Sequence, residues 1–316
     1  MQQVAAWLVA RPLHGILALA AASALPITNL VATVFLTMFV LYGGMRLALL
    51  QAAAASALVL VAAAIGGSAL EVVLTLLVAN WMPALMLAAI LVSTRSLTLT
   101  VQLSVLIAAV AITAFMLVTG DPVAFWVREF TAFAELLRQA GQDQQAERLM
   151  AAVGVFTSDT PTGVDPRLIA MQITILLALA IWSLFVVTLL LGYLLYRQVP
   201  AETVDYGRFS DLNLGRVLAF GMALASVLAL LLGAEWLQSV AFVVFACFWL
   251  QGLAVLHWLR RENLLPVFIV VGVYLLMLLP PLNAALLLVL AAMGYADAWF
   301  RFRRRRSVRT TGSNDD

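Results

Sequence analysis

Gln251-Gly252-Leu253-Ala254-Val255-Leu256-His257-Trp258-Leu259-Arg260-Arg261 closes a long apolar run and decides how the chain is threaded. An uninterrupted apolar stretch followed by paired arginines is the pattern of a membrane helix leaving the bilayer on its cytoplasmic side. Gln251 and His257 stand six residues apart, which at about 100° per residue puts them on different faces of a helix. They do not form one catalytic strip. His257 and Trp258 read as boundary residues, Arg260 and Arg261 as topology anchors, and Gln251 as a polar group facing the interior.

Working outward, the whole chain obeys the same logic. Its 316 residues are 64% hydrophobic and 11% charged, with a mean hydropathy of +1.05. Soluble domains carry roughly 45–50% apolar and about 25% charged residues, so this chain cannot hide its apolar surface in one water-soluble core. The apolar runs are continuous, not alternating, which excludes an outer-membrane barrel. The expected fold class is an all-α polytopic transmembrane bundle. The single Cys247 lies mid-span, leaving no disulfide framework and no paired-cysteine metal site. The first apolar run leads directly into others, so it reads as a membrane span and not as a cleavable signal.

A spanning helix needs about 20 apolar residues. Helices are expected at 13–25, 28–44, 47–65, 69–92, 97–119, 168–196, 214–233, 236–258, 264–279 and 282–299. Two runs are ambiguous in length. The run 13–44 is interrupted at Pro26-Ile27-Thr28-Asn29, and the run 264–299 at Pro280-Pro281. Each is long for one helix and short for two, and proline, which lacks a backbone donor, suits a tight break. Counting both as hairpins gives about ten helices with both termini cytoplasmic; otherwise eight or nine. With ten, Arg46, Arg260, Arg261, Arg303 and Arg304 are inner anchors. The outer side then holds Arg128, Arg138, Arg148 and Arg167 against eight acids, seven of them in the loop 120–167 and the eighth Glu235. The chain divides into N-terminal spans (1–119), an extracytoplasmic helix pair and loop (120–167), C-terminal spans (168–300) and an Arg-rich cytoplasmic tail (301–316). The location these features imply is a bacterial inner membrane, with the lipid bilayer as the first partner.

In the loop, Asp121-Pro122 predicts a helix start. Trp126, Phe130, Phe133 and Leu137 then recur at helical spacing opposite Arg128, Glu129, Glu135 and Arg138. A second helix is expected from Asp143 to Val153. This pair either lies in the membrane interface or forms a lid over an outward cavity.

Polar residues inside a bilayer are costly, and each is a candidate for function. The threading puts Asn29, Glu71, Gln172 and Asn283 near outer helix ends, Asn80 mid-span beside Pro83, and Gln251 in the inner half. If they converge, two acids and few bases suit a neutral or cationic solute. Each amide can equally be satisfied by a neighbouring helix, and Glu71 can cap its own helix. Metalloprotease, nucleophile-elbow, P-loop and dinucleotide motifs are all absent. No enzymatic activity, cofactor, metal or nucleic-acid partner is therefore expected, and energy coupling would come from a partner or an ion gradient. Ala18 and Ala22 repeat at the four-residue spacing that lets helices approach closely; they serve packing inside the chain or docking of another membrane subunit.

Three runs carry a resemblance. Tyr206-Gly207-Arg208-Phe209 with Leu212 and Leu214, Gln251 to His257, and Gly294-Tyr295-Ala296-Asp297-Ala298-Trp299-Phe300-Arg301-Phe302-Arg303 resemble the YybS-like family of bacterial polytopic membrane proteins. The order of helices and the extracytoplasmic pair are similar too. The resemblance implies the helical bundle but no activity. Tyr42-Gly43-Gly44-Met45-Arg46, after a short alanine-rich helix, is similar to the substrate-binding membrane subunits of energy-coupling-factor vitamin transporters. That similarity implies capture of a small solute from outside and a coupling subunit docked at Ala18 and Ala22. The leading expectation is small-solute uptake or transport through an outward-facing pocket; the alternative is a membrane scaffold or assembly factor recruiting partners through its cytoplasmic loops.

Overall fold

The computed structural model describes residues 2–24, 28–67, 70–157, 165–200, 203–233, 235–279 and 282–303. All regular structure among them is helical: α1 (Gln2–Ala10), α2 (Pro12–Ser23), α3 (Asn29–Ile65), α4 (Leu70–Thr94), α5 (Leu97–Thr119), α6 (Pro122–Gln139), α7 (Asp143–Thr157), α8 (Pro166–Tyr196), α9 (Gly215–Leu232), α10 (Glu235–Arg261), α11 (Val267–Met277) and α12 (Leu282–Phe300), with a 3₁₀ turn at Phe209–Asp211. Seven of these helices are long and apolar enough to cross a membrane. Large apolar side chains such as Ile65, Val118 and Val217 are 84–88% exposed. In water so much bare hydrocarbon would aggregate; here it is the surface that meets lipid. The protein is a multi-pass integral membrane protein.

The 37-residue α3 is two helices joined at Gly44, whose φ of 78° and ψ of 169° lie outside the helical region. Gly15 of α2 shows how sharply the chain turns there. A Cβ on Gly15 would lie 2.9 Å from the Phe39 ring and 3.0 Å from the Gln51 amide. A straight helix would hold those two residues roughly 18 Å apart, so the two halves of α3 fold back on one another. Only glycine adopts this φ without strain, and the break falls between the helices expected at 28–44 and 47–65. The two runs of ambiguous length, 13–44 and 264–299, also divide, into α2 and α3 and into α11 and α12. The prolines assigned to those turns, Pro26, Pro280 and Pro281, lie outside the described residues.

α1 is an element the hydropathy pattern does not announce, being only 9 residues long. It bends away from α2 by 113° at Arg11. Ala5 and Leu8 are buried, and the Trp7 ring stacks on His14 at 4.7 Å. His14 Nδ1 and the Trp7 carbonyl, 2.9 Å apart, tie the bend together.

α10 is the axis of the bundle. In its most apolar stretch 72% of residues are buried, against at most 28% in the other long apolar helices. It packs on α12, α9, α5 and α8. Its contact with α12 is made backbone to backbone: a Cβ on Gly252 would strike the Leu290 carbonyl, and one on Gly294 that of Phe248. Small residues permit this approach, and van der Waals packing then supplies the association that the hydrophobic effect cannot provide within lipid.

α6 and α7 form the expected pair outside the spans. Asp121 caps α6 by accepting the Val123 N–H at 2.9 Å. α7 runs to Thr157, beyond the Val153 expected. The pair packs against α8 and the end of α5.

Candidate functional site

Two ends of the bundle carry polar groups: the end bearing α6 and α7, and the end bearing the arginine-rich termini of α10 and α12. At the first, α2, both halves of α3 and α4 enclose a cavity of about 650 Å³. Apolar Leu17, Val59 and Leu77 form much of its wall, and Ser23, Asn29 and Asn80 are its polar groups. Asn29 is only 5% exposed, and neither its Oδ1 nor the Ser23 hydroxyl has a hydrogen-bond partner among the described residues. A buried polar group left in this state costs about 1–3 kcal/mol. Asn29 is the first residue of α3. Asn80 Nδ2 donates to the Leu76 carbonyl at 2.7 Å. One turn on, Pro83 deprives the Ala79 carbonyl of its helical donor.

The other outer candidates do not join this cavity. Glu71, in the first turn of α4, is exposed and lies outside the lining. Gln172 is exposed on α8, and Asn283 is half-buried on α12. Ala18 and Ala22 are partly buried against the main core.

A second cavity, of about 430 Å³, lies between α4, α5 and α8 and is almost wholly apolar. Phe125 and Trp126 of α6 close its end. Trp126 Nε1 donates to Thr174 Oγ1 at 2.8 Å, and deeper in, Trp182 Nε1 donates to Ser104 Oγ at 3.0 Å. The amphipathic pair thus covers this apolar chamber, not the cavity that holds Asn29 and Asn80.

At the arginine-rich end the interior is charged. Gln251 is fully buried and accepts the Leu214 N–H at 2.7 Å. Its Nε2 donates to Asp297 Oδ2 at 2.9 Å. Arg303 donates to the same oxygen from Nε at 3.1 Å and Nη2 at 2.7 Å, and reaches the carbonyls of Ser210 at 2.6 Å and Leu212 at 2.7 Å. Asp297 is 1% exposed, and its Oδ1 has no partner among the described residues. Charge-assisted bonds of this kind are about twice as strong as neutral ones.

The cluster fastens the loop between α8 and α9 into the bundle. A buried loop must have its backbone groups satisfied, and side chains from several helices do so here. Gln102 Nε2 donates to the Asn213 carbonyl at 2.9 Å, the Tyr196 hydroxyl accepts the Val204 N–H at 2.8 Å, and the Tyr193 hydroxyl accepts that of Tyr206 at 3.0 Å. Tyr193 also donates to Asp205 Oδ1 at 2.9 Å. The Gly207 N–H, first, and this hydroxyl, second, hold the Asp205 carboxyl below its ordinary range. Tyr206, Leu212 and Leu214 are consequently buried.

Of the residues read as inner anchors, Arg46 and Arg260 are exposed. Arg261 is partly exposed and pairs with Asp211 at 2.9 Å. Arg303 has a second identity as the buried partner of Asp297, with a side chain 11% exposed. Arg304 lies outside the described residues. Asp297 itself escaped the sequence reading, although an acid in an apolar helix, six residues before an arginine, is a legible signal. His257 turns away from Gln251, sharing a 2.9 Å contact with the Tyr274 hydroxyl.

The three runs quoted for the family resemblance, around Tyr206 to Leu214, Gln251 and Gly294 to Arg303, meet in this one cluster. Comparison with known protein families, curated proteins and solved structures finds no match to the chain.

Proposed function

We propose that this protein acts in uptake or transport of a small neutral or cationic solute, which enters the cavity lined by Ser23, Asn29 and Asn80. The observation that carries the reading is Asn29 in the lining of a chamber of about 650 Å³, with a buried Oδ1 that has no hydrogen-bond partner among the described residues. An orphan acceptor favours a ligand that donates an N–H or O–H, and a mostly apolar wall with few polar groups is the usual composition of a small-molecule site. The topology that goes with it has ten crossing helices and cytoplasmic termini in a bacterial inner membrane. Arg46, Arg95, Arg208, Arg260 and Arg301 would then face the cytoplasm and α6–α7 the outside. Membership of the YybS-like family is part of the same proposal, supported by the meeting of its three characteristic runs in one cluster. The protein is read as non-enzymatic, with coupling through another membrane subunit or an ion gradient.

Cysteine accessibility tests this reading. In a Cys247→Ala background, Asn29→Cys and Asn80→Cys should react with an impermeant maleimide added to intact spheroplasts. Arg260→Cys should react only after lysis. A thermal-shift survey of small neutral and cationic solutes should give stabilisation that Asn29→Ala and Asn80→Ala abolish. Labelling of Asn80→Cys only after lysis overturns the orientation. Solute stabilisation undiminished in both alanine variants overturns the site and favours the scaffold reading, in which the cavity has no ligand.

A further inference from the structure

We infer that the arginine-lined cleft at the other end of the bundle binds a phosphate-bearing anion. The inference stands apart from the solute cavity and does not depend on it. The cleft, of about 440 Å³, lies where the start of α9 meets the ends of α10 and α12. Its charged lining comprises Arg216, Arg261, Arg301, Arg303, Asp211 and Asp297.

The pairing within that set leaves positive charge over. Arg303 is committed to Asp297 at 2.7 Å, and Arg261 to Asp211 at 2.9 Å. Arg216 has no acidic partner among the described residues: its Nη2 donates to the Trp299 carbonyl at 2.9 Å. The Arg301 guanidinium has no hydrogen-bond or ion-pair partner among the described residues. Yet the Arg301 backbone is fixed. Its φ of 51° is left-handed, an uncommon conformation for this residue type, and its N–H donates to the Asp297 carbonyl at 2.9 Å. A side chain in the cleft lining is therefore carried on a constrained backbone, without a partner among the described residues.

The start of α9 adds to the field. Gly215 and Arg216 line the cleft, and the first N–H groups of a helix lack intrahelical acceptors and carry partial positive charge. Guanidinium groups match the oxygens of a phosphate in two-point geometry. Two unmatched arginines suit one phosphate group bearing a full negative charge.

Two sources could present that group. Val217 is 88% exposed, and Phe300 and Phe302 are 54% and 49% exposed, so the cleft is bordered by lipid-facing side chains. A headgroup phosphate of an anionic lipid could sit in the cleft with its chains along those residues; basic pockets between membrane helices commonly hold such headgroups. A free phosphate or soluble phosphate ester offers the same chemistry.

The test uses the full chain purified in a neutral detergent. Thermal unfolding is followed during titration with phosphatidylglycerol, with phosphatidylcholine and with inorganic phosphate, for the native protein, R301Q, R216Q/R301Q and the control R128Q/R148Q. Phosphatidylglycerol or inorganic phosphate should stabilise the native protein and the control, and phosphatidylcholine should not. The half-saturating concentration should rise about 5-fold for each arginine removed from the cleft. Saturation by inorganic phosphate alone, or competition between it and the lipid, identifies the phosphate itself as the recognised group; stabilisation by phosphatidylglycerol only identifies the lipid. R301Q removes a side chain that has no partner among the described residues, so it should unfold without ligand at the native temperature, even where R216Q disturbs the Trp299 contact. Equal stabilisation by both lipids without a phosphate effect, or titrations of R301Q that match the native protein, overturn the inference.

Discussion

Gln251 Nε2 donates to the Asp297 carboxylate across 2.9 Å, joining two helices at residues 46 positions apart. The bond lies at the centre of a chain of contacts from the Leu214 N–H through Gln251 and Asp297 to Arg303. Breaking a buried pair from one side strands the other charge, at about 3–5 kcal/mol. Asp297→Ala and Arg303→Ala should each lower the unfolding temperature sharply. The double variant should cost less than the sum of the two, because neither charge is then stranded. Additive losses in a double-mutant cycle would show that the pair does not act as a unit.

The closest helix contact gives a second expectation. Gly252→Val pushes a side chain into the Leu290 backbone, and overpacking of this kind costs typically about 1–3 kcal/mol. Gly272 of α11 has open space where its Cβ would be. Gly272→Ala should therefore be neutral or stabilising by about 0.5–1 kcal/mol, since it lowers the entropy lost on forming the helix. Unfolding in detergent compares the two variants directly.

Acid should loosen the 203–214 loop through Asp205. Its folded-state carboxyl titrates below the unfolded value, held there by the Gly207 N–H and then the Tyr193 hydroxyl. A depressed carboxyl contributes stability that is present above the unfolded value of about 3.9 and is lost as pH falls through the folded one. Asp205→Asn removes this contribution, so the fall in unfolding temperature between about pH 6 and about pH 3 should be shallower for the variant. Parallel acid limbs for the two proteins would remove Asp205 from the account.

Asn29 should trade stability for function. Asn29→Leu replaces a buried amide, whose Oδ1 has no partner among the described residues, with an apolar side chain. The variant should be as stable as the native protein or more stable by up to about 1 kcal/mol, while solute stabilisation disappears. A drop in unfolding temperature instead would mean that the amide is engaged in holding the bundle together.

Much of the bundle was legible because the bilayer allows little else: continuous apolar runs must be helices, and arginine must end them. The break at Gly44 was legible from two glycines beside Arg46. α1 was not, since 9 residues give no spanning signal and its place depends on the Trp7–His14 stack. For the sites, the sequence placed each polar residue by depth alone, Asn29 near an outer helix end and Asn80 mid-span, which topology supplies. Depth says nothing about which helix faces which, and so Glu71, Gln172 and Asn283 were grouped with them although they point elsewhere. The Gln251–Asp297–Arg303 cluster depends on that missing information. Its members come from α10, from α12 and from the turn after it, and no local period connects them.

Arg303 also sets an order of events during synthesis. The carbonyls of Ser210 and Leu212 leave the ribosome long before the arginine that receives them. Until it arrives, Gln102, Tyr193, Tyr196 and Gln251 hold the loop without it, and Asp297 lacks its arginine. The last described turn of the chain is therefore a late clasp on the 210–212 segment, added after the loop's partners at Gln102, Tyr193, Tyr196 and Gln251 have been made.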